Sequence, residues 1–329
     1  MRFIVLGAGA VGGVIGGRLA EHGHSVVLIA RGAHYDAIRA HGLRIDSPNT
    51  SVTLQTPVVE SPSAIAWTPG DVVVVATKTQ DTETALDTLA MVAPRDVPLI
   101  CAQNSVANEE MASRRFDRVY GMFVWCPTDY LTPGAVHIWC APKSGILHVG
   151  RYPAGTDALA AEVAAALRQS SFYSEAKPDI MRWKYRKLLS NLGNAVDALC
   201  GTAARGSGLV QRARREALAC YEAAGIAYVG DEEEDSARLE KEVHAQIVNG
   251  VERRGGSSWQ SLERRLGTIE TDYLNGEIVR IGQRCGVPTP VNALLQYLSQ
   301  RMARERRPPG SLNPDKILIA LDLRQNPLQ

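Results

Sequence analysis

The chain has 329 residues, 45% of them hydrophobic, 22% charged and 6% aromatic. That length predicts about two domains, and the apolar share excludes wholesale disorder. A formal net charge of +1 offers no bulk attraction to nucleic acid or an anionic membrane, and no apolar run reaches the ~18 residues of a membrane span.

Met1 to Leu6 is short and almost wholly apolar, which predicts a buried strand. Gly7-Ala8-Gly9-Ala10-Val11-Gly12-Gly13 follows, and Val14 to His22 continues with helical spacing. Ser25–Ala30, Asp71–Thr77 and Pro98–Ala102 read as further buried strands, with a helical pattern over Asp81–Val92. Val119–Trp125 and Gly145–Gly150 look like later strands of the same domain, and Ala158–Gln169 is an alanine-rich helix. Apolar strands alternating with helices predict an α/β fold, a parallel sheet covered on both faces. The texture changes near Ala176-Lys177-Pro178, so the expected domains are 1–176 and 177–329, the second all-helical. Asp231–Asp235 is an acidic run and Arg301–Pro309 a basic one; both read as solvated loops or helix ends. The six cysteines form no CxxC and no ligand cluster with the seven histidines. Buried, reduced thiols in a cytoplasmic protein are therefore expected, with no metal site. The N-terminus lacks a signal-peptide cleavage pattern.

Strand, then GxGxxG, then helix is the context of a dinucleotide-binding turn. Gly7 permits the tight turn, Gly9 lets a pyrophosphate approach the backbone, and Gly12 lets the helix pack against the strand. The first-turn N–H groups, with Ala8, Ala10 and Val11 completing the loop, face the phosphates. At the end of the second strand, where an NAD site usually carries Asp or Glu, stands Ala30-Arg31-Gly32. A cation there suits a 2′-phosphate and favours NADP.

Thr77-Lys78-Thr79 and Gln103-Asn104-Ser105 follow the third and fourth strands, at the carboxyl ends where doubly wound sheets bind ligands. On a helix over Arg182–Leu199, Lys187, Asn191 and Asn194 share one stripe beside an apolar face of Leu188, Leu189, Leu192, Val196 and Leu199. Asparagine is a poor helix-interior residue, so the stripe reads as a site for an anionic or carbonyl ligand. Ser257-Ser258 precedes another helix, and Glu270-Thr271-Asp272 precedes one whose buried stripe is Leu274, Ile278, Ile281 and Cys285. Gly286 reads as its C-terminal cap, with Pro288 and Pro290 as stops. Spacing alone leaves open whether Glu270 and Asp272 are functional or merely complement the helix dipole.

Together these residues resemble the ketopantoate reductase family: GAGAVGG at the start, Lys78, Asn104 in QNS, K-L-x-x-N over Lys187–Asn191, and SSWQSLERRLGTIETDYLNGEIVRIGQRCGVPTP over Ser257–Pro290. The resemblance implies an N-terminal Rossmann-type domain, an all-helical C-terminal domain for substrate and catalysis, and hydride transfer from NADPH to a 2-keto acid in pantothenate biosynthesis. It implies Lys187 as general acid, Asn191, Ser258 and Asn104 on the substrate, with Asn194 joining them only if the helix shifts locally, and Lys78 and Asn104 on the cofactor. Glu270 is implied in both catalysis and cofactor contact. The implied partner is a small 2-keto acid, with a homodimer left open. Hydride arrival at a ketone creates an alkoxide, which a lysine can stabilise as a cation and then protonate.

The departures fall on the substrate side. Ser105 stands where the family has glycine, Ala195 where its second asparagine falls, and Gly255-Gly256 where a polar residue is expected. Two other readings share parts of the pattern: a β-hydroxyacid or 6-phosphogluconate-type dehydrogenase, and a non-catalytic NADP-binding sensor.

Overall fold

A computed structural model describes residues 1–233 and 243–325, so Glu234 and Asp235 of the acidic run lie outside the described residues. The chain divides into two compact units. The first is Met1–Lys187 with Tyr228–Arg253; the second is Leu188–Ala227 and the described chain from Arg254 onward.

In chain order the first unit begins β1 (Arg2–Leu6), α1 (Ala10–Glu21), β2 (Ser25–Ile29), α2 (Gly32–His41), β3 (Leu43–Asp46), β4 (Ser51–Leu54) and β5 (Val58–Val59). It continues with β6 (Asp71–Val75), α3 (Thr82–Ala90), β7 (Leu99–Cys101), α4 (Asn108–Ser113) and β8 (Val119–Trp125). Then come β9 (Thr128–Asp129), β10 (Ala135–Ile138), β11 (Cys140–Pro142), β12 (Ile146–Arg151), α5 (Ala158–Gln169) and α6 (Ile180–Asn191). The main sheet has the order β12-β8-β7-β6-β1-β2-β5. Its strands pair in parallel except β12, which runs antiparallel on β8. Apolar residues therefore point to both faces, one packed around Phe3, Val5, Val72 and Ile100, the other around Ile4, Val73, Leu86 and Leu99. From β1 the chain builds outward through β2, then returns to build the other way from β6. The order thus reverses between β1 and β6, the switch point at which such sheets bind ligands.

Two features were not legible as strands. A second sheet, β4-β3-β10-β9, forms beside the first. The late strand β13 (Val243–Ala245), in the stretch expected to be helical, pairs antiparallel with β11. This pairing and the first half of α6 explain why the division differs from the expected boundary at 176/177. Trp183 meets Phe123 edge-on, ring centroids 5.4 Å apart, and lies 4.6 Å from the His148 ring. The start of α6 therefore belongs with the sheet, and only from Leu188 does the chain pack in the second unit.

The second unit is helical: α7 (Gly193–Cys200), α8 (Gly208–Ala223), α9 (Ser257–Glu263), α10 (Asn275–Cys285), α11 (Pro290–Arg304) and α12 (Pro314–Gln325). Its core includes Val196, Leu199, Leu209, Leu262, Leu295 and Met302. Gly286 does cap α10, in the left-handed conformation at φ 74°. Pro290, expected as a stop, instead opens α11 as its first residue, where a missing N–H costs nothing. Glu216 accepts bonds from the Val291 and Asn292 amides and so caps that helix. The six cysteines are free thiols, but Cys126, Cys200 and Cys285 are only half-buried. No described helix is long and apolar enough to cross a membrane.

Candidate active site

The glycine loop leaves β1 at the switch point. Gly7 takes φ 99°, and a Cβ there would meet the Thr77 amide nitrogen at 3.0 Å. A Cβ on Gly12 would stand 2.1 Å from the Gly7 carbonyl oxygen and 2.9 Å from the Ala76 Cβ, so α1 can approach the strands only with glycine there. Gly9 differs: nothing lies within 4 Å of its Cβ position. It is the N-cap of α1, with no side-chain cap and no acidic residue in the first turn. The N–H groups of Ala10, Val11 and Gly12 thus have no intrahelical acceptor, and the helix dipole favours an anion before them. The Gly7 and Ala8 amides are committed to the Ile29 carbonyl at 3.1 and 3.0 Å, so Ala8 shapes the loop and its N–H does not face a phosphate. These features fit a dinucleotide pyrophosphate. Arg31 is exposed at the N-cap of α2, whose first turn carries no acid. Its side chain makes no hydrogen bond or ion pair to the described residues, so the guanidinium is open to an anion.

Lys78 and Asn104 sit on neighbouring loops that side chains tie together. Gln103 Nε2 donates to the Thr77 carbonyl at 2.9 Å and to Thr82 Oγ1 at 2.7 Å. The Asn104 carbonyl accepts from Asn108 Nδ2 at 2.8 Å and Thr79 Oγ1 at 3.3 Å. Ser105 occupies the left-handed region at φ 76°, the backbone that a glycine adopts freely. Its hydroxyl partly compensates by accepting from the Ala107 amide at 3.2 Å.

Lys187 closes the first unit, one helical turn beyond Lys184. No motif in the sequence marks Lys184, which is buried with its Nζ bonded to the carboxylate of equally buried Glu109 and to the Gln103 carbonyl at 3.1 Å. Burial raises the Glu109 carboxyl, with the Lys184 ammonium opposing. Removing one partner of such a pair costs about 3–5 kcal/mol, because the other is left charged and dry. Gly121 makes room for it: a Cβ there would contact Glu109 Oε1 at 3.3 Å and Lys184 Cδ at 3.4 Å. The available signal was that Lys184 is one of only seven lysines and falls three residues before Lys187.

The expected single helix over 182–199 is interrupted at Leu192, between α6 and α7. Leu192 keeps helical dihedrals of −59° and −31°, so direction persists while the hydrogen-bond ladder breaks. Asn275 Nδ2 donates to the Leu192 carbonyl at 3.4 Å and to Asn292 Oδ1 at 3.0 Å. Leu188, Leu189, Leu192, Val196 and Leu199 are all buried, as expected. Asn191 is buried and Asn194 half-buried, with Asn194 Nδ2 donating to Ser257 Oγ at 3.4 Å. Gly256 permits this, since its Cβ position lies 2.8 Å from Asn194 Oδ1. Ser258 is buried, and its hydroxyl has no hydrogen-bond partner among the described residues. Glu270 is buried at the head of a short 3₁₀ turn, Glu270–Tyr273. Asp272 is occupied by Gln296 and Gln300 at 2.7 and 2.8 Å, a structural role.

Fold and glycine loop together define a dinucleotide-binding protein. The pattern of the family described as ketopantoate reductase PanE/ApbA matches residues 3–153, and that of its C-terminal domain matches 179–303. The chain belongs to the ketopantoate reductase family, whose members reduce 2-keto acids with NAD(P)H. It is 27% identical to the 2-dehydropantoate 2-reductase of Pyrococcus horikoshii, over 91% of this chain and 96% of that one. With that of Archaeoglobus fulgidus it shares 29%, over 90% and 96%. Among solved structures, a PanE/ApbA family ketopantoate reductase from Ralstonia eutropha superposes with TM-score 0.77 at 28% identity, covering 93% of this chain and 99% of that one. A D-mandelate dehydrogenase solved with NADH and anilino(oxo)acetate reaches 0.76 at 22% identity over the same shares, a likeness of fold.

Proposed function

We propose that this chain is an NADPH-dependent reductase of a branched 2-keto acid, converting 2-dehydropantoate to pantoate. The first unit would bind the nucleotide, and the helical unit would bind substrate. When bound, NADPH supplies the hydride. Gly9 and the first turn of α1 would hold its pyrophosphate, and Arg31 its 2′-phosphate. Lys78 and Asn104 would orient the nicotinamide end. Lys187 would stand as an ammonium against the carbonyl oxygen, stabilise the negative charge that develops there, and give up its proton. Asn191 and Asn194 would orient the keto acid, and Glu270 would bond the substrate.

The observation that carries the substrate side is the Ser258 hydroxyl, buried without a partner among the described residues. A buried hydroxyl left unbonded costs about 1–3 kcal/mol, which a ligand's hydroxyl or carboxylate would recover. Sites of this kind discriminate strongly, since a substrate hydroxyl that is bonded cannot be omitted without loss of ~10⁴-fold or more. Because Ser105, Ala195 and Gly255-Gly256 depart from the family pattern around the substrate, weaker discrimination is expected here. The test compares kcat/KM for 2-dehydropantoate, 2-ketoisovalerate and an aryl 2-keto acid, with NADPH and with NADH. Reduction of 2-dehydropantoate with NADPH supports the proposal. No turnover of any keto acid would refute it, and a preference for 2-dehydropantoate above about 10³-fold would refute the relaxed selectivity.

A further inference from the structure

We propose that the buried Lys184–Glu109 pair is a positioning device for the proton donor: it pins the turn of α6 before Lys187 to the loop that carries Asn104. The inference rests on the reading of Lys187 as that donor.

Lys184 and Lys187 are three residues apart on one helix, so fixing the azimuth and height of one fixes the other. From Lys184 the bonds run to Glu109 on α4 and to the Gln103 carbonyl at 3.1 Å. From Gln103 they run to Thr77 and Thr82, and through Asn108 to the Asn104 carbonyl. One buried network thus joins the helix of the donor to both loops assigned to the nicotinamide end. Stability alone does not call for charges here, because well-packed apolar residues often replace a buried ion pair at no cost. An apolar pair, however, has no directional bond to a carbonyl, and the helix could slide or rotate on it. An ångström of misplacement at a reacting group can cost ~10²-fold in rate.

The test is Lys184→Met with Glu109→Leu in one protein, beside Glu109→Gln, which keeps an oxygen to accept from Lys184. The expected double variant melts near the native temperature and binds NADPH with unchanged Kd. Its kcat falls about 10²-fold, with KM for the keto acid little altered. Glu109→Gln melts lower, because Lys184 loses its countercharge, yet where it stays folded it keeps most of the native kcat, since the amide oxygen still accepts from Lys184. A folded double variant with native turnover would overturn the inference, as would a Glu109→Gln protein as slow as the double variant, since the geometry survives there. If the double variant does not fold, Glu109→Gln alone decides, by its kcat and by whether its pH–rate profile stays native. Lys187→Ala in the same assay separates the two readings. Retained turnover there removes the donor itself. An inactive Lys187→Ala beside a fully active double variant removes only the positioning role.

Discussion

Gly256 and Asn194 are fitted to one another: a Cβ on Gly256 would stand 2.8 Å from the Asn194 side-chain oxygen. The backbone of Gly256 lies at φ −75°, which any residue adopts, so glycine serves there for space and not for flexibility. The resemblance puts the family's second asparagine at Ala195, and its neighbour Asn194 reaches toward Ser257 through the gap that Gly256 leaves. Gly256→Ala should push the Asn194 amide aside while leaving the melting temperature nearly native, because the end of a side chain yields easily. Losing one oriented bond should raise KM for the keto acid about 2- to 10-fold, equivalent to ~0.5–1.5 kcal/mol. Steady-state kinetics with an unchanged KM would show that Asn194 does not touch substrate.

Lys187→Ala should bind NADPH almost normally and lose turnover by about 10²- to 10⁴-fold, the contribution of a positioned proton donor. Single-turnover measurements at saturating NADPH would separate this from a binding defect. Near-native rates across pH would remove Lys187 from the chemistry.

Arg31 is exposed, so replacing it should leave stability alone. Arg31→Ala should weaken NADPH binding by about 1.5–3 kcal/mol, the range for a bond to a charged group, and leave NADH binding little changed. Titration with both nucleotides checks this, and equal weakening would show that Arg31 does not read the 2′-phosphate.

Ser105 combines a left-handed backbone with a compensating bond to Ala107. The strain of a side chain at positive φ is about 1–2 kcal/mol, and the bond returns ~0.5–1.5 kcal/mol. Ser105→Ala keeps the strain and loses the bond, so it should cost about 1 kcal/mol. Ser105→Gly removes both and adds unfolded-chain entropy of ~0.5–1 kcal/mol, so it should be nearly neutral. Denaturant melts of the two variants distinguish these cases, and a glycine variant less stable than the alanine variant by ~0.5–1 kcal/mol would show that the strain is unimportant.

His148 is fully buried among Phe123, Tyr173 and Trp183, and burial lowers its pKa from 6.5 to about 3. Its Nδ1 accepts from the Glu175 amide at 3.2 Å, which requires that nitrogen unprotonated. With the folded value depressed, the unfolded chain binds the proton more readily. Stability is therefore full above pH ~6.5 and falls by about 1.4 kcal/mol per unit below it, until the folded value is reached. His148→Phe should flatten the acid limb of a stability–pH curve followed by far-UV circular dichroism. An unchanged slope would place the titration elsewhere.

The sequence by itself determined those parts of this protein whose physics is local. Met1–Leu6, the glycine loop and the start of α1 could be read because the strand pattern, the turn and the cap all lie within about twenty neighbouring residues, each dictated by backbone sterics and apolar spacing. The same holds for Gly286, whose left-handed cap follows from its place after a periodic apolar stripe. Only the tertiary structure decided features made by residues remote in the chain. Lys184 and Glu109 are 75 positions apart, and nothing in either neighbourhood requires a partner until α6 is laid against α4. The short strand Val243–Ala245 exists because Cys140–Pro142 presents an edge to it, and three residues carry no period of their own. The interruption at Leu192 likewise comes with Asn275, 83 residues away. Periodicity sees one helix there, because Leu188, Leu189, Leu192, Val196 and Leu199 keep a single buried face through the break. A hydrogen bond from a distant side chain leaves no trace in that spacing, since it engages the backbone carbonyl, which every residue has.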